Sequence, residues 1–318
     1  MNNNQSFTPP HPLKTPVLFL IYKRLDTTKQ VFEAIRKAKP PRLYIAGDGP
    51  RDDKSGETEK VMVVREYVMN NIDWECEVKT LFRDKNLGCG RAVSQAITWF
   101  FENEEQGIIL EDDTVPSLSF FWFCEKLLKR YKDDMRIWHI GGCNFQNGIK
   151  RGDGDYYFSA LNHVWGWASW ADRWKYYDFE MKSISDDSFL EYYWKGRELK
   201  YWKDIFWKMK KKLGIDIWDY QWKFCILFHG GLSIIPQKNL VKNIGFGSEA
   251  THTKADPNFK MDLEEIEFPL KHPSYFKRCE EADIYSMKKL FLQPVWKVFI
   301  SKILPAGIKG VVKRYIIR

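Results

Sequence analysis

At 318 residues, the chain is long enough for one large α/β domain with additions, or for two modest domains. Its 44% hydrophobic and 16% aromatic content excludes wholesale disorder. A formal charge of +8 fits an anionic partner without separating nucleic acid, anionic lipid and a phosphorylated small molecule.

Residues 1–15, MNNNQSFTPPHPLKT, are polar and proline-rich, and are expected to form a disordered leader rather than a signal peptide. PVLFLIY (Pro16–Tyr22) reads as a buried strand. Asp26 and Thr27 are placed to cap the following helix, whose Val31, Ile35 and Ala38 share a face before Pro40-Pro41 ends it. RLYIAGD is a second strand, ETEKVMVVREYVMNN a helix, ECEVKTLF a third strand, GRAVSQAITWFFENEE a helix, and GIIL a fourth strand.

Strands alternating with helices over Pro16–Leu110 predict a parallel, doubly wound sheet, which binds ligands outside the carboxyl ends of its strands. Those ends are polar: Lys23-Arg24, Asp48, Arg83-Asp84 and Glu111-Asp112-Asp113. They are expected on one rim.

After Pro116, SFFWFCEKLLKRY reads as a helix, and RIWHIGG and DYYFSA as strands. Tryptophan is dense up to Phe228, with helices predicted over Phe189–Lys212 and Asp219–Phe228. The tail from Met287 is basic and apolar, without acidic residues. It suits an interfacial helix on anionic lipid, or an apolar face docked on the protein itself. The six cysteines show no C-x-x-C pair or zinc spacing, and no uncharged run reaches bilayer length, so the expected setting is cytoplasmic.

Three adjacent carboxylates at a strand end suit a hard divalent cation such as Mn²⁺ or Mg²⁺; the alternative is a solvated acidic loop or a helix N-cap. RDKNLGCGRAVSQA offers glycines for close backbone approach, and Arg91 at a helix start offers an anion site; a plain glycine turn explains it equally. In NHVWGWASWADRW, Trp170 and Trp174 read as core, whereas Gly166 between Trp165 and Trp167 suggests a bend presenting rings and amides to a ligand. In DIWDYQWKF, Asp219 adjoins a buried helical face marked by Trp218 and Trp222, and reads as a helix cap or a functional carboxylate.

The series LEDDTVPSLSFFWF, YKRLD, AGDGP and the aromatic segments resembles the GT-A nucleotide-sugar glycosyltransferases, most closely the N-acetylglucosaminyltransferase I type, remotely and over Pro16–Thr253. The resemblance implies a Rossmann-like, mostly parallel α/β sheet with helices on both faces. A donor half (16–115) would join an aromatic-rich acceptor half (116–260) in one domain, followed by a basic amphipathic extension (261–318).

It implies metal binding by Asp113, with Glu111 and Asp112 on the donor sugar and ribose, Arg24 on the nucleotide and Asp48 on the pyrimidine. Asn86 and Gly88, with Arg91, join the donor site; so do Gly166 and Trp167, while Trp165 and Trp218 face the acceptor. Asp219 becomes the base of an inverting transferase, with Asp216 as fallback, because the family's W-D-D-W segment has only one of its aspartates here. His252 in the glycine-rich NLVKNIGFGSEATHT is a candidate second metal ligand.

The implied reaction moves sugar from a nucleotide-diphosphate sugar, most simply a UDP-sugar, to a glycan or lipid-linked hydroxyl in surface polysaccharide assembly. The membrane contact would be peripheral, through the tail, and no nucleic acid is involved. A sugar-phosphate nucleotidyltransferase and a non-catalytic glycan-binding protein are the alternatives.

Overall fold

The computed structural model describes residues 7–211, 216–245 and 261–292. Strands β1 (Val17–Ile21), β2 (Arg42–Gly47), β3 (Glu77–Phe82) and β4 (Gln106–Glu111) alternate with helices α1 (Leu25–Ala38), α2 (Glu57–Asn70) and α3 (Cys89–Asn103). A short strand β5 (Thr114–Pro116) leads into α4 (Leu118–Arg130). Then come β6 (Ile137–Gly141), β7 (Tyr156–Ser159), β8 (Trp167–Trp170) and α5 (Ala171–Trp174), followed by α6 (Gly196–Lys210), α7 (Asp219–Phe228), β9 (Leu232–Pro236), β10 (Val241–Asn243) and α8 (Glu280–Ser286).

The main sheet runs β3-β2-β1-β4-β8-β6-β9-β7. β1 to β4 are mutually parallel, β8 is antiparallel to both β4 and β6, β9 is parallel to β6, and β7 is antiparallel to β9. This is a mixed, mostly parallel Rossmann-like sheet, continuous across both halves of the chain. Alternate side chains of β1 enter opposite cores: Val17, Phe19 and Ile21 pack with α1, α2 and α4, while Leu18 and Leu20 pack with α3 and α7. The sheet is therefore the middle of three layers.

Several local expectations change. Asp26 and Thr27 do not cap α1; the helix begins at Leu25, and the Thr27 and Thr28 hydroxyls donate to the Arg24 carbonyl. The predicted helix over Phe189–Lys212 is broken into a 3-10 turn, Ser188–Tyr192, and α6. β3 is an edge strand with half-exposed residues rather than one covered on both faces. β8 lies inside the aromatic segment NHVWGWASWADRW, where only a bend at Gly166 was expected, with Ile109 opposite Trp167 and Gln106 opposite Trp170.

β10 pairs antiparallel with β5, Asn243 opposite Thr114, and so carries the chain back over the acidic strand end. The described part of the extension, 261–292, is held down at two places. Glu265 accepts the Leu118 and Ser119 amides at the start of α4, at 3.0 and 2.7 Å, and the buried Asp283 of α8 accepts from Ser159, Ala160 and Arg278.

Candidate active site

Because β1 to β4 are parallel, their carboxyl ends share one edge, and a cavity of about 480 Å³ opens there. Lys23, Arg24, Asp48, Arg83, Glu111 and Asp112 all line it, so all four polar strand ends contribute to one rim. Asn86, Gly88 and Asp216 complete the wall formed by the start of α3.

That wall is built by backbone amides. The Asp48 carboxylate accepts from the amides of Gly49 at 2.9 Å, Leu87 at 3.0 Å and Gly88 at 3.1 Å. Burial pushes its pKa up, against those amides and Arg83. Asn86 donates to the Gly49 carbonyl at 2.8 Å and to the Tyr22 hydroxyl at 3.1 Å, while its own carbonyl accepts from the Gly88 amide at 3.2 Å.

At the N-terminus of α3, Asp216 accepts from Cys89 at 2.7 Å and Gly90 at 2.8 Å. A Cβ on Gly88 would lie 2.4 Å from its Oδ2, so this close approach requires glycine. Asp216 thus caps the helix where Arg91 was expected to help bind an anion. Arg91 itself pairs with Glu180 at 2.9 Å and covers the Phe179 ring, and it is not among the residues that line the cavity.

The acids at the end of β4 hold a guanidinium. Arg24 Nη2 donates to Asp112 Oδ1 at 2.5 Å and to Asp113 Oδ2 at 2.8 Å. The residues after β10 approach Asp113 closely: its carbonyl accepts the Ile244 amide at 2.8 Å, and a Cβ on Gly245 would lie 2.0 Å from Oδ2. Asp112 is 5% exposed, and its Oδ2 has no hydrogen-bond partner. Burial pushes the Asp112 carboxyl up to about 6, with Arg24 opposing. Glu111 is raised well above the usual carboxylate range, first by burial and then by the charges of Asp113, Asp112 and Asp219.

Asp219 is the first residue of α7, more than a hundred residues beyond Glu111, yet it lies close enough to raise that pKa. Cys89, at the cavity wall, feels Glu111, Asp216, Asp219 and Asp113 together. The start of α7 is therefore within electrostatic reach of the acidic strand end and of the α3 N-terminus.

The tryptophan assignments change most. Trp167 is fully buried in β8, its ring stacked between His139 at 5.0 Å and Trp218 at 5.7 Å. Trp218 is 3% exposed in the same cluster. Neither ring is offered to a ligand, because both fill the core between the sheet and α7. Gly166 makes the expected bend, with φ +65°, but Val241 fills the space beside it and its carbonyl accepts from Gly142. Trp165 stays half-buried against Phe145. Trp170 and Trp174 are core, as read. His252 lies outside the described residues.

One residue was missed. Glu57, read only as the start of an amphipathic helix, is buried and accepts from Tyr22 at 2.5 Å, Lys23 at 2.6 Å and Arg51 at 2.6 and 2.9 Å. Arg51 first, then Lys23 and Tyr22, hold its carboxyl well below the usual range against burial. The available signal was an acid in the first helical turn, a position equally suited to a simple dipole partner.

Among the described residues, no three His, Cys, Asp or Glu side chains converge as a self-sufficient metal cage. The donor set still fits a hard divalent ion that takes one or two carboxylates and completes its shell with water and phosphate oxygens. The partnerless Asp112 Oδ2 and the surplus of carboxylates over cations point the same way.

No protein-family model matches the chain, and no curated protein sequence does. Among solved structures, similarity is found to the inositol-1-phosphate CTP transferase from T. maritima, at 11% identity over 70% of this chain and 85% of that one, TM-score 0.38. The glycosyltransferase GlyE of Streptococcus pneumoniae TIGR4 is similar at 10% identity over 70% of this chain and 45% of that one, TM-score 0.35. A UDP-glucose pyrophosphorylase complexed with UDP-glucose is similar at 11% identity over 55% of this chain and 81% of that one, TM-score 0.31. Likeness at this level carries no argument about chemistry; the fold class rests on the sheet topology itself.

Proposed function

We propose that this chain is a GT-A type glycosyltransferase that moves a sugar from a nucleoside-diphosphate sugar to a hydroxyl of a glycan or lipid-linked acceptor, with inversion. One observation carries the reading: the polar ends of β1 to β4, Glu111 and Asp112 among them, line a cavity of nucleotide size, and the charge of Asp219 is felt at Glu111.

A neutral acceptor hydroxyl needs a base, and a carboxylate at that place supplies one. A sugar phosphate, the nucleophile of a nucleotidyltransferase, carries no proton that must be removed, so a base near the cavity suits attack on carbon.

In this reading the cavity holds the nucleotide, with the loop of Asp48, Asn86 and Gly88 as its wall, and Lys23 and Arg24 near the phosphates. Asp219 accepts the acceptor proton as the new C–O bond forms and the bond to the diphosphate breaks. A divalent cation held by Asp113 would neutralise the departing diphosphate. Asp112 and Glu111 lie where the ribose and sugar would meet the strand end. UDP as the nucleotide, and membrane proximity of the acceptor, belong to the same proposal. Among the described residues, no helix is long and apolar enough to cross a membrane.

Incubation with labelled nucleotide sugars, with and without Mn²⁺, tests the class: release of free nucleoside diphosphate is expected, and pyrophosphate exchange would make it a nucleotidyltransferase instead. Asp219→Asn is expected to lower turnover by about 10²–10⁴-fold with donor binding unchanged. A near-wild-type rate would remove Asp219 as the base.

A further inference from the structure

The cation already present at the acidic strand end is part of the chain. A single guanidinium nitrogen, Arg24 Nη2, bridges Asp112 Oδ1 and Asp113 Oδ2 at 2.5 and 2.8 Å, with only 7% and 16% of the two acid side chains exposed. Gly245 packs close to the same bridge: a Cβ there would lie 2.0 Å from Asp113 Oδ2 and 2.9 Å from Arg24 Nη1. Arg24 leaves two acid oxygens, Asp112 Oδ2 and Asp113 Oδ1; Asp112 Oδ2 is buried without a hydrogen-bond partner, so the pair is not fully satisfied by Arg24.

We propose that Arg24 is an internal latch on the metal site: it and a divalent cation exclude each other between Asp112 and Asp113, and an incoming nucleoside diphosphate is what draws Arg24 away. This rests on the reading of the cavity as a nucleotide-sugar site.

Exclusion follows from charge and space. Two carboxylates sharing one guanidinium leave a local net charge of about −1, which is tolerable in a part-buried site. Adding a divalent ion beside the same guanidinium places like charges in contact, and Arg24 Nη2 already occupies the position between Asp112 Oδ1 and Asp113 Oδ2. Removing the guanidinium without replacement leaves two adjacent buried carboxylates unpaired, which is also costly. One cation must therefore replace the other.

The diphosphate is the suitable trigger, because Arg24 lines the cavity and a guanidinium pairs as well with phosphate as with carboxylate. Moving to the phosphate, Arg24 keeps a charged partner while the acids gain an ion that the same phosphate helps coordinate. The hinge cost is small, since the Arg24 backbone is pinned independently by the hydroxyls of Thr27 and Thr28 and only the side chain must turn.

The test is Mn²⁺ binding by the full chain, read from loss of the free-ion electron paramagnetic resonance signal, without any turnover. Wild-type protein is expected to bind Mn²⁺ weakly alone, and on the order of 10- to 100-fold more tightly with UDP, the usual size of coupling between two sites. Arg24→Met is expected to bind Mn²⁺ without UDP at nearly the strength that wild type reaches with it. Arg24→Met combined with Asp113→Asn is expected to lose that gain.

Equal Mn²⁺ affinity of wild type and Arg24→Met in the absence of UDP would overturn the latch. The wild-type measurement with and without UDP needs no variant, so a folding defect in Arg24→Met, checked by circular dichroism, does not rescue the idea: tight Mn²⁺ binding by wild type alone also overturns it. If Arg24→Met gains Mn²⁺ but wild type fails to bind UDP by calorimetry, the nucleotide trigger and the proposed function fall together, while the exclusion between Arg24 and the ion stands.

Discussion

The rim of β1 to β4 and the tryptophan-rich layer beside it answer differently to the same kind of reasoning. At the rim, residues singled out for following a strand meet around one cavity: Arg24, Asp48, Glu111 and Asp112 all line it, joined by Asn86 and Gly88 of the glycine loop. In the aromatic layer, residues chosen for their chemistry turn inward: Trp167 and Trp218, expected at ligands, stack on each other in the core. A strand end's position follows from topology, because parallel strands must finish on one edge. A tryptophan's exposure depends on which layer covers it, and that is a tertiary fact.

The largest expected effect breaks or keeps this contrast directly. Trp167→Ala should destabilise the protein by about 3–5 kcal/mol, because the ring is fully enclosed between His139, Trp174, Trp218 and Trp222. Trp165→Ala, at a half-buried ring packed on Phe145, should cost well under half of that. Chemical denaturation measures both. Comparable losses would mean that the two tryptophans are not differently placed, and the contrast would fail.

Period and position explain what could be read beforehand. β1, β2 and β4 are short apolar runs ended by polar residues, and α7 was bounded as Asp219–Phe228 by its aromatic spacing. β8 was hidden because W-A-S-W follows a glycine bend and leads straight into α5, so its alternation lasts only four residues. That alternation sends Trp167 to one core and Ala168 with Trp170 to the other. The Arg24 bridge could not be read either: YKRLD and LEDD are far apart in sequence, and only the β1–β4 pairing makes them neighbours. Asp216 on the α3 N-terminus is a similar case, a loop carboxylate occupying an anion position that the glycine segment advertised.

A second, intermediate effect lies one turn along α7 from Asp219. Lys223 is fully buried and its Nζ has no hydrogen-bond partner; it lies over the Trp202 ring at 4.8 Å. Burial lowers its pKa from 10.5 to about 7, against the attraction of Asp219 and Asp283. The other titratable neighbours are His139, held near 3 chiefly by burial, and His163, lowered well below its usual value.

With the folded pKa below the unfolded one, the folded state binds fewer protons between pH 7 and pH 10.5, so stability rises with pH across that window. Lys223→Met should therefore raise the melting temperature by several degrees near pH 6, where the buried charge is fully present. The advantage should shrink steadily as pH approaches 9. A gain independent of pH between 6 and 9 would show that the lysine keeps its proton in the folded state as it does in the unfolded one, and that burial does not lower its pKa.

The smallest effect asks whether the rim residues bind or merely pack. Asn86 joins three partners, the Gly49 carbonyl, the Tyr22 hydroxyl and the Gly88 amide, and so holds the glycine loop against the end of β2. Asn86→Ala should cost about 1 kcal/mol of stability, since the site is only part-buried and water can replace some of these bonds. Loosening the wall without touching the reacting atoms should raise the donor KM several-fold and leave kcat nearly unchanged, because a wall contact holds ground state and transition state alike. Steady-state kinetics with a varied nucleotide sugar separates the two quantities. A fall in kcat at unchanged KM would move Asn86 from the wall of the cavity to its reacting end, and the rim would then have to be divided residue by residue, as the tryptophan layer already is.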